Sequence, residues 1–213
     1  MYKFIKLKAT KIEKKILVSL NQTLKETKPK KFINQNIQIK KNFLYITNQK
    51  ISLDNRDLYI AAWGKLSSYM TDAFIKNVGI KKIKKVCILS NQKNKSSKKK
   101  IVLKGYHPFP EPRTIRSSLK MLKFLLAVKP NDILIFLISG GGSSMFSIPN
   151  KTISVKEKIL ISKKLITRGI EPKLMNNIRK FISEIKGGKL LKKLSVKKIY
   201  NICISDENEN LMH

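Results

Sequence analysis

The chain has 213 residues, of which 42% are hydrophobic and 8% aromatic, a composition that indicates a folded globular protein and excludes a disordered one. Its 46 lysine and arginine residues outnumber 13 acidic residues, and the resulting charge of +33 makes a polyanion such as nucleic acid the first partner to consider. The lysines are spread along the whole chain with few aromatic residues between them. This distribution favours a generally basic surface over a nucleic-acid site.

Two cysteines, Cys87 and Cys203, each lie inside an apolar run, which predicts small buried side chains and neither a zinc site nor a disulfide framework. No apolar stretch approaches the roughly 18 residues of a membrane-spanning helix. The segment from Met1 to Leu17 carries lysines throughout and has no apolar core of a secretory signal. We therefore expect a cytoplasmic protein without a membrane partner.

The N-terminal part predicts one helix and two strands. Apolar residues at every fourth position from Ile12 to Leu24 form the stripe of an amphipathic helix over about 9–27. Strand candidates follow at Phe43 to Ile46 and at Asp57 to Trp63. The second strand runs directly into Gly64 and Lys65 and then into a helical pattern.

The middle of the chain continues this alternation. Short strands are predicted at Lys85 to Leu89 and at Ile101 to Lys104, with a polar loop between them. A helix begins near Pro112, a residue well tolerated in a first turn, and buries an apolar stripe from Ile115 to Leu126. Residues Ile133 to Ile138 are apolar on both faces, which is typical of a central strand in a covered parallel sheet.

In the C-terminal part, Ser154 and Glu157 have the spacing of a capping box, and the helix they open ends at Arg168-Gly169. A second helix is predicted at about Pro172 to Ile185, and a last strand at Lys198 to Ile204. Strands that alternate with helices predict an α/β protein, a three-layer sandwich with a mainly parallel sheet.

Three consecutive glycines follow the central strand and are flanked by serines. In an open α/β sheet, ligands bind beyond the carboxyl ends of the strands, and glycines there let backbone amides approach an anion without a Cβ in the way. This stretch therefore predicts a phosphate or carboxylate site. Its candidate residues are Ser139, Gly140, Gly141, Gly142, Ser143 and Ser144.

The spacing excludes three common sites. Met145 stands where a dinucleotide fingerprint or a nucleophile elbow requires glycine. Around Gly188-Lys189, a P-loop would require a glycine at Ser183 and a hydroxyl residue at Leu190.

Further polar residues lie where they can join the loop. Lys65 follows a glycine at a strand-to-helix switch, so its ammonium can hold a phosphate oxygen as a point charge. His107 lies among prolines in "GYHPFPEP". On the otherwise apolar helix in "NNIRKFISEIKGGKL", the polar candidates are Asn177, Arg179, Ser183 and Lys186.

The order of these motifs along the chain resembles that of the glycerate 2-kinase family. Its members are two-domain enzymes with a C-terminal MOFRL domain. "AAWGK" is similar to the family's strand followed by Gly-Lys-Ala-Ala, and "GYHPFPEPRT" to its Gly-His-Pro-x-Pro-Asp turn. "FLISGGGSSMFSIP" resembles its Leu-Ile-Ser-Gly-Gly-Gly-Ser-Ala-Leu run. "NNIRKFISEIKGGKL" and "IYNICISD" complete the match, which covers about Asp57 to Asp206.

The resemblance implies a Rossmann-like α/β/α domain and ATP-dependent phosphorylation of glycerate to 2-phosphoglycerate, with Mg²⁺. It implies that Lys65 is the essential catalytic lysine and that the stretch from Ser139 to Ser144 binds phosphate. Arg179, Ser183 and Lys186 would line the cleft against the second domain. His107, Asn177 and Asp206 are further candidates for the same cleft.

The chain departs from the family pattern after Ser205-Asp206, where it reads Glu207 to Asn210 in place of Val-Pro-Gly-Asp-Asp. The family's histidine after Arg-Lys is Phe181 here. We therefore expect residues 1–213 to form the N-terminal α/β domain alone, with the sheet core at about 42–204 and the MOFRL domain missing. The chain is then either a truncated or frameshifted kinase or one half of a split enzyme, and a separate MOFRL-domain chain is the expected partner in the second case.

Two other functions stay open. One is a catalytically inactive nucleotide- or anion-binding remnant of the kinase. The other is a basic nucleic-acid-binding protein that uses the +33 charge, although no nucleic-acid motif is present.

Overall fold

The computed structural model describes residues 10–26, 28–92 and 95–205. Its helices are α1 (Lys11–Glu26), α2 (Pro29–Asn36), α3 (Ser67–Val78), α4 (Pro112–Leu126), α5 (Gly142–Met145), α6 (Val155–Thr167), α7 (Pro172–Phe181) and α8 (Lys189–Lys193). Its strands are β1 (Ile37–Lys40), β2 (Phe43–Ile46), β3 (Gln49–Ser52), β4 (Leu58–Trp63), β5 (Lys85–Ser90), β6 (Lys100–Lys104), β7 (Ile133–Ser139) and β8 (Lys198–Ile204).

A five-stranded sheet with the order β6-β5-β4-β7-β8 forms the centre of the protein, and every neighbouring pair is parallel. The chain runs outward from β4 through β5 to β6. It then returns to the other side of β4 and continues through β7 to β8. The order therefore reverses between β4 and β7, which makes the gap beyond their carboxyl ends the topological switch point. The predicted α/β fold with a mainly parallel sheet is confirmed.

Alternating side chains of the strands fill a core on each face of the sheet. Along β4, Leu58 and Ile60 belong to the core that contains Phe74 of α3. Ala61 belongs to the opposite core, together with Met121 of α4. Because both faces are covered, the strands are apolar on both sides and the protein has three layers.

A separate antiparallel sheet of β1, β2 and β3 closes one of these cores through Ile37, Leu44 and Ile51. Of its strands, the sequence predicts only β2. Both hairpin turns use a residue other than glycine at φ 53, Lys41 in the first and Thr47 in the second. The glycine signal typical of a tight hairpin is therefore missing at both turns.

One predicted boundary is wrong. The helix expected at about Pro172 to Ile185 ends at Phe181, because the next residues pair with another segment. Ser183 forms an antiparallel bridge with Pro149, and the Glu184 amide donates to the Ile148 carbonyl at 3.1 Å.

Cys87 is buried in the core, as predicted, and burial raises the pKa of its thiol to about 12. Cys203 is only half-buried, and burial again raises the pKa of its thiol. In the part of the chain that the structure describes, no helix has both the length and the apolar character needed to cross a membrane.

The predicted capping box at the start of α6 is present. The Ser154 hydroxyl accepts a hydrogen bond from the Glu157 amide at 3.2 Å, and the Glu157 carboxylate accepts one from the Ser154 amide at 2.7 Å. We expect Ser154→Ala to lower the free energy of unfolding by about 1 kcal/mol, since it leaves a first-turn amide without its acceptor. Urea denaturation measures the change. Lys156→Ala in the same turn is the control, and equal midpoints for the two variants would contradict the role of the cap.

Candidate functional site

The loops that follow β4 and β7 lie side by side at the switch point. The Lys65 amide donates to the Gly140 carbonyl at 2.9 Å, and the Leu66 amide donates to the Ser139 hydroxyl oxygen at 2.9 Å. These two bonds fix the beginning of α3 against the glycine loop. The structure therefore brings the predicted lysine and the predicted loop to the edge of the sheet where ligands bind in this architecture.

Gly64 permits this close approach. Its φ is +118, and a Cβ at this position would lie 2.3 Å from the Ser139 carbonyl oxygen. No real Cβ contact is that short, so a side chain here would force the two loops apart. Position 64 therefore requires glycine for two reasons, its positive φ and the close approach of Ser139.

Gly141 is the contact point of the loop with two other candidates. It adopts φ +79, and a Cβ on it would lie 2.6 Å from His107 Cδ2 and 3.2 Å from Lys65 Cγ. The imidazole and the aliphatic stem of the lysine therefore both pack against the bare backbone of Gly141. Three separate sequence motifs meet at this one position.

Aromatic side chains pack against the glycine loop at Gly142. A Cβ on the buried Gly142 would lie 2.8 Å from Cδ1 of Trp63, whose ring makes edge-to-face contacts with Phe136 and Phe146 at centroid distances of 5.0 and 5.3 Å. The sequence analysis did not single out Trp63, although its place directly before Gly64 at the strand end was a usable signal. It is the single tryptophan of the chain, so its fluorescence reports on the loop.

The loop serines differ in exposure. Ser139 and Ser144 are buried, and Ser139 already accepts the Leu66 amide. The Ser144 amide donates to the Gly141 carbonyl at 3.2 Å, which closes the short turn of α5. Ser143 is half-buried. Of the three hydroxyls, that of Ser143 is the most accessible to a ligand.

The structure brings Lys186 to the same loop from the other side. Its Nζ donates to the Phe146 carbonyl at 3.4 Å, directly after α5. Ser183 is fully buried, and its hydroxyl oxygen accepts the amides of Ile185 and Lys186 at 3.3 Å each. Ser183 thereby shapes the turn that carries Lys186.

The other predicted cleft residues lie on α7 or outside the described residues. Asn177 is exposed on α7, and Arg179 is half-buried in the last turn of that helix. Phe181, which replaces the family's histidine, is 77% exposed. Asp206 lies outside the described residues.

A lysine that the sequence analysis missed lies beneath this region. Lys158 is 2% exposed, and its Nζ donates to the Ile182 carbonyl at 2.9 Å. Burial, followed by the positive charges of Arg179 and Lys189, lowers the pKa of Lys158 to about 8. Burial, followed by Arg179 and Lys158, also lowers the pKa of Lys186 well below its ordinary value.

The sequence did hold a signal for Lys158. It lies on the same face of α6 as the buried residues Ser162 and Leu165, at the spacing of one helical stripe. A lysine in a core-facing position is rarely buried without a specific set of acceptors, so this position was worth singling out.

A surface groove lies at the opposite edge of the sheet. Asn55, Arg56, Lys129 and Asn131 line it. Its buried carboxylate, Asp132, accepts hydrogen bonds from the Asp57 and Lys129 amides at 3.1 and 3.3 Å. That carboxylate is engaged in holding the loops together, and this edge is not the one where parallel sheets bind ligands.

We expect Gly141→Ala to displace the His107 ring, because the new Cβ would overlap it. The chain has two histidines, so the imidazole C2–H signals in a ¹H NMR spectrum can be assigned and followed. Gly169→Ala is the matched control, since Gly169 has φ +60 with nothing within 4 Å of its Cβ position. The control should leave the His107 signal in place. An unmoved signal in Gly141→Ala would contradict the contact.

The chain is similar to known proteins along most of its length. The family described as "Domain of unknown function (DUF4147)" matches residues 15–211. A glycerate 2-kinase of Picrophilus torridus is 31% identical over 205 residues, which are 95% of this chain and 47% of the relative. A D-glycerate 2-kinase of Thermotoga maritima is 30% identical over 164 residues, 75% of this chain and 38% of the relative.

Solved structures agree on the fold. A protein of Pyrococcus horikoshii superimposes with a TM-score of 0.75 at 24% identity. The superposition covers 93% of this chain and 44% of the Pyrococcus chain. The glycerate kinase of Thermotoga maritima gives a TM-score of 0.71 at 22% identity. This superposition covers 92% of this chain and 44% of the Thermotoga chain. The chain spans about half the length of the curated relatives that it matches. It belongs to the DUF4147 family, the N-terminal domain of the glycerate 2-kinases.

Proposed function

We propose that this chain is the phosphate-binding half of an ATP-dependent glycerate kinase that phosphorylates glycerate to 2-phosphoglycerate. The observation that carries the proposal is the contact between Lys65 and Gly141 at the topological switch point. The stem of a lysine and a bare backbone loop meet there, at the place where doubly wound sheets bind phosphorylated ligands.

The chemistry of phosphoryl transfer fits these parts. The reaction depends mainly on positioning and on neutralising charge on the transferred group. The Lys65 ammonium supplies a positive charge, and the backbone of Gly140 to Gly142 offers amide donors with no side chain in the way. Ser143 adds the most accessible hydroxyl of the loop. In this role Lys65 is the catalytic residue and the loop holds the phosphates of ATP.

The relatives suggest that the site needs a second domain. They carry the name glycerate 2-kinase and are about twice as long as the matched part. We propose that a second domain, such as the MOFRL domain of the family that the chain resembles, closes the cleft next to Lys186 and Arg179. The chain alone then binds nucleotide without turning it over.

ATP and Mg²⁺ are the cofactors that the family implies. Within residues 10–26, 28–92 and 95–205, no three His, Cys, Asp or Glu side chains come together to hold a metal. We therefore assign no step to Mg²⁺ among these residues. A cytoplasmic location stays a prediction.

The test measures both binding and turnover. ATP is titrated into the chain while the fluorescence of Trp63 is followed, and ADP release with D-glycerate is measured with and without the product of the neighbouring reading frame. We expect ATP binding in both cases and turnover only with the second chain. If ATP binds and neither mixture turns over, the chain is an inactive nucleotide-binding remnant. If ATP does not bind while polyanions do, the basic nucleic-acid binder replaces the kinase.

A further inference from the structure

Three adjoining surface grooves meet at the turn between β3 and β4, at the amino ends of the central strands. Their volumes are about 680, 390 and 420 Å³, and Asn55 and Arg56 line all three. The groove of about 390 Å³, which we call the Arg56 groove, lies at the opposite edge of the sheet from the glycine loop. Its polar lining residues are Asp54, Asn55, Arg56, Asn131, Lys197 and Lys198.

Hydrogen bonds between three loops give the Arg56 groove its shape. The Ile133 amide donates to the Asp57 carbonyl at 2.9 Å, which joins the turn before β4 to the loop before β7. The Lys197 amide donates to the Pro130 carbonyl at 3.2 Å, which joins that loop to the segment before β8. The buried Asp132 carboxylate accepts the Asp57 amide at 3.1 Å and strengthens the first of these junctions. Contacts within the protein therefore set the walls of the groove.

Arg56 is the half-buried cation that the three grooves share. Its Nη1 donates to the Ser52 carbonyl at 3.1 Å, a bond that orients the guanidinium and neutralises no charge. Arg56 forms no ion pair with any other residue that the structure describes. A guanidinium presents several N–H donors in a planar fork, so most of those of Arg56 remain available to a ligand.

The one carboxylate that lines the Arg56 groove, that of Asp54, already has two partners. It accepts the Ser52 hydroxyl at 2.8 Å and the side-chain amide of Asn42 at 2.9 Å. These two hydrogen bonds lower the pKa of Asp54, and the charge of Arg56 adds a smaller contribution in the same direction. Lys197 and Lys198, like Arg56, form no ion pair within the described part of the chain. The groove therefore keeps an excess of positive charge.

The size of this excess indicates the class of ligand. Three cations and one carboxylate line the Arg56 groove, which leaves two positive charges. A phosphate monoester carries about −1.5 to −2 at neutral pH, so it neutralises them almost completely. The described residues that line the three grooves include no aromatic side chain on which a base could stack. A phosphate group on a small molecule therefore fits the groove better than a nucleic-acid strand does.

We propose that the Arg56 groove is a second phosphate site, which binds the phosphate group of a small phosphorylated molecule. Arg56 binds the phosphate oxygens with parallel hydrogen bonds, while Lys197 and Lys198 act as point charges. The side-chain amides of Asn55 and Asn131 are further donors at the rim. Because the groove lies at the other end of β4 and β7 from the glycine loop, both sites can be occupied at once. The inference does not depend on the proposed kinase function.

Titration with inorganic phosphate at constant ionic strength, followed by amide NMR, tests the site residue by residue. We expect saturable shifts of the Asn55 and Asn131 amides in the wild-type chain. Arg56→Met should bind phosphate about tenfold more weakly or worse, the effect of losing hydrogen bonds to a charged group. Arg168→Met is the matched control, because it removes an exposed arginine beyond α6, and it should change the affinity less than about twofold.

Lys197→Met is the second variant, which decides the proposal if Arg56→Met does not fold. Lys197 is exposed, so its loss should spare the fold and weaken phosphate binding about fivefold, against less than about twofold for the exposed Lys163→Met.

Three results would overturn the proposal. Equal affinities in each variant and its control, or shifts that never saturate, would mean that the diffuse charge of +33 attracts phosphate. Saturable shifts confined to Gly140 to Gly142 would assign phosphate to the glycine loop alone and leave the kinase proposal standing. Shifts of Asn55 and Asn131 with a single-stranded oligonucleotide, but with neither phosphate nor glycerol 3-phosphate, would assign the groove to nucleic acid.

Discussion

Gly64→Ala is expected to lower the free energy of unfolding by about 4 kcal/mol, as the sum of backbone strain and overpacking. Its Cβ would lie 2.3 Å from the Ser139 carbonyl oxygen, and Gly64 has φ +118, which side-chain-bearing residues rarely adopt. This nearest group is a backbone carbonyl, which cannot move aside as the end of a flexible side chain can. The central strands β4 and β7 must separate at their carboxyl ends.

Gly79→Ala is the matched control for this prediction. Gly79 also has a positive φ, +84, but nothing lies within 4 Å of its Cβ position. The control therefore carries backbone strain of about 1–2 kcal/mol and no clash. Urea denaturation of both variants isolates the contribution of the close approach. If the free energy of unfolding falls equally in the two variants, the close approach of Ser139 to Gly64 does not contribute to the loss and the prediction is wrong.

The sequence predicted those parts of the fold that depend on local periodicity. The strands of the parallel sheet and the capped helix at Ser154 were predictable because alternation, helical stripes and capping are visible within a short window. The glycine loop was predictable as well, since glycines at Gly140 to Gly142, directly after a strand, let backbone amides approach an anion. The motif order identified the family from the same residues.

What the sequence did not show depends on contacts between distant segments. That Gly141 contacts both Lys65 and His107 follows from the strand order, which brings β4 next to β7 although 69 residues separate Leu58–Trp63 from Ile133–Ser139. The burial of Lys158 depends on the end of α7 lying over α6. Only a carbonyl placed there by tertiary packing, that of Ile182, makes a buried ammonium tolerable.

Lys65→Met is expected to weaken ATP binding roughly 10- to 100-fold, the range for losing a hydrogen bond to a charged group. The aliphatic stem of methionine keeps the packing against Gly141, so the loop should stay in place while the ammonium is lost. Lys65→Arg should retain part of the affinity, because the charge remains but a planar guanidinium replaces a compact ammonium. The fluorescence of Trp63, whose ring lies against Gly142, measures the binding of each variant.

The control is Lys76→Met, which removes the same charge from an exposed position in the last turn of α3, at the other end of the helix that Lys65 precedes. It lowers the total charge of +33 equally and should leave ATP affinity within about twofold of the wild-type value, as expected for a screened surface charge. If Lys65→Met and Lys76→Met bind ATP alike, nucleotide is attracted by net charge alone. The switch point between β4 and β7 would then not be the phosphate site, because a specific contact must distinguish a lysine at the loop from one at the far end of the same helix.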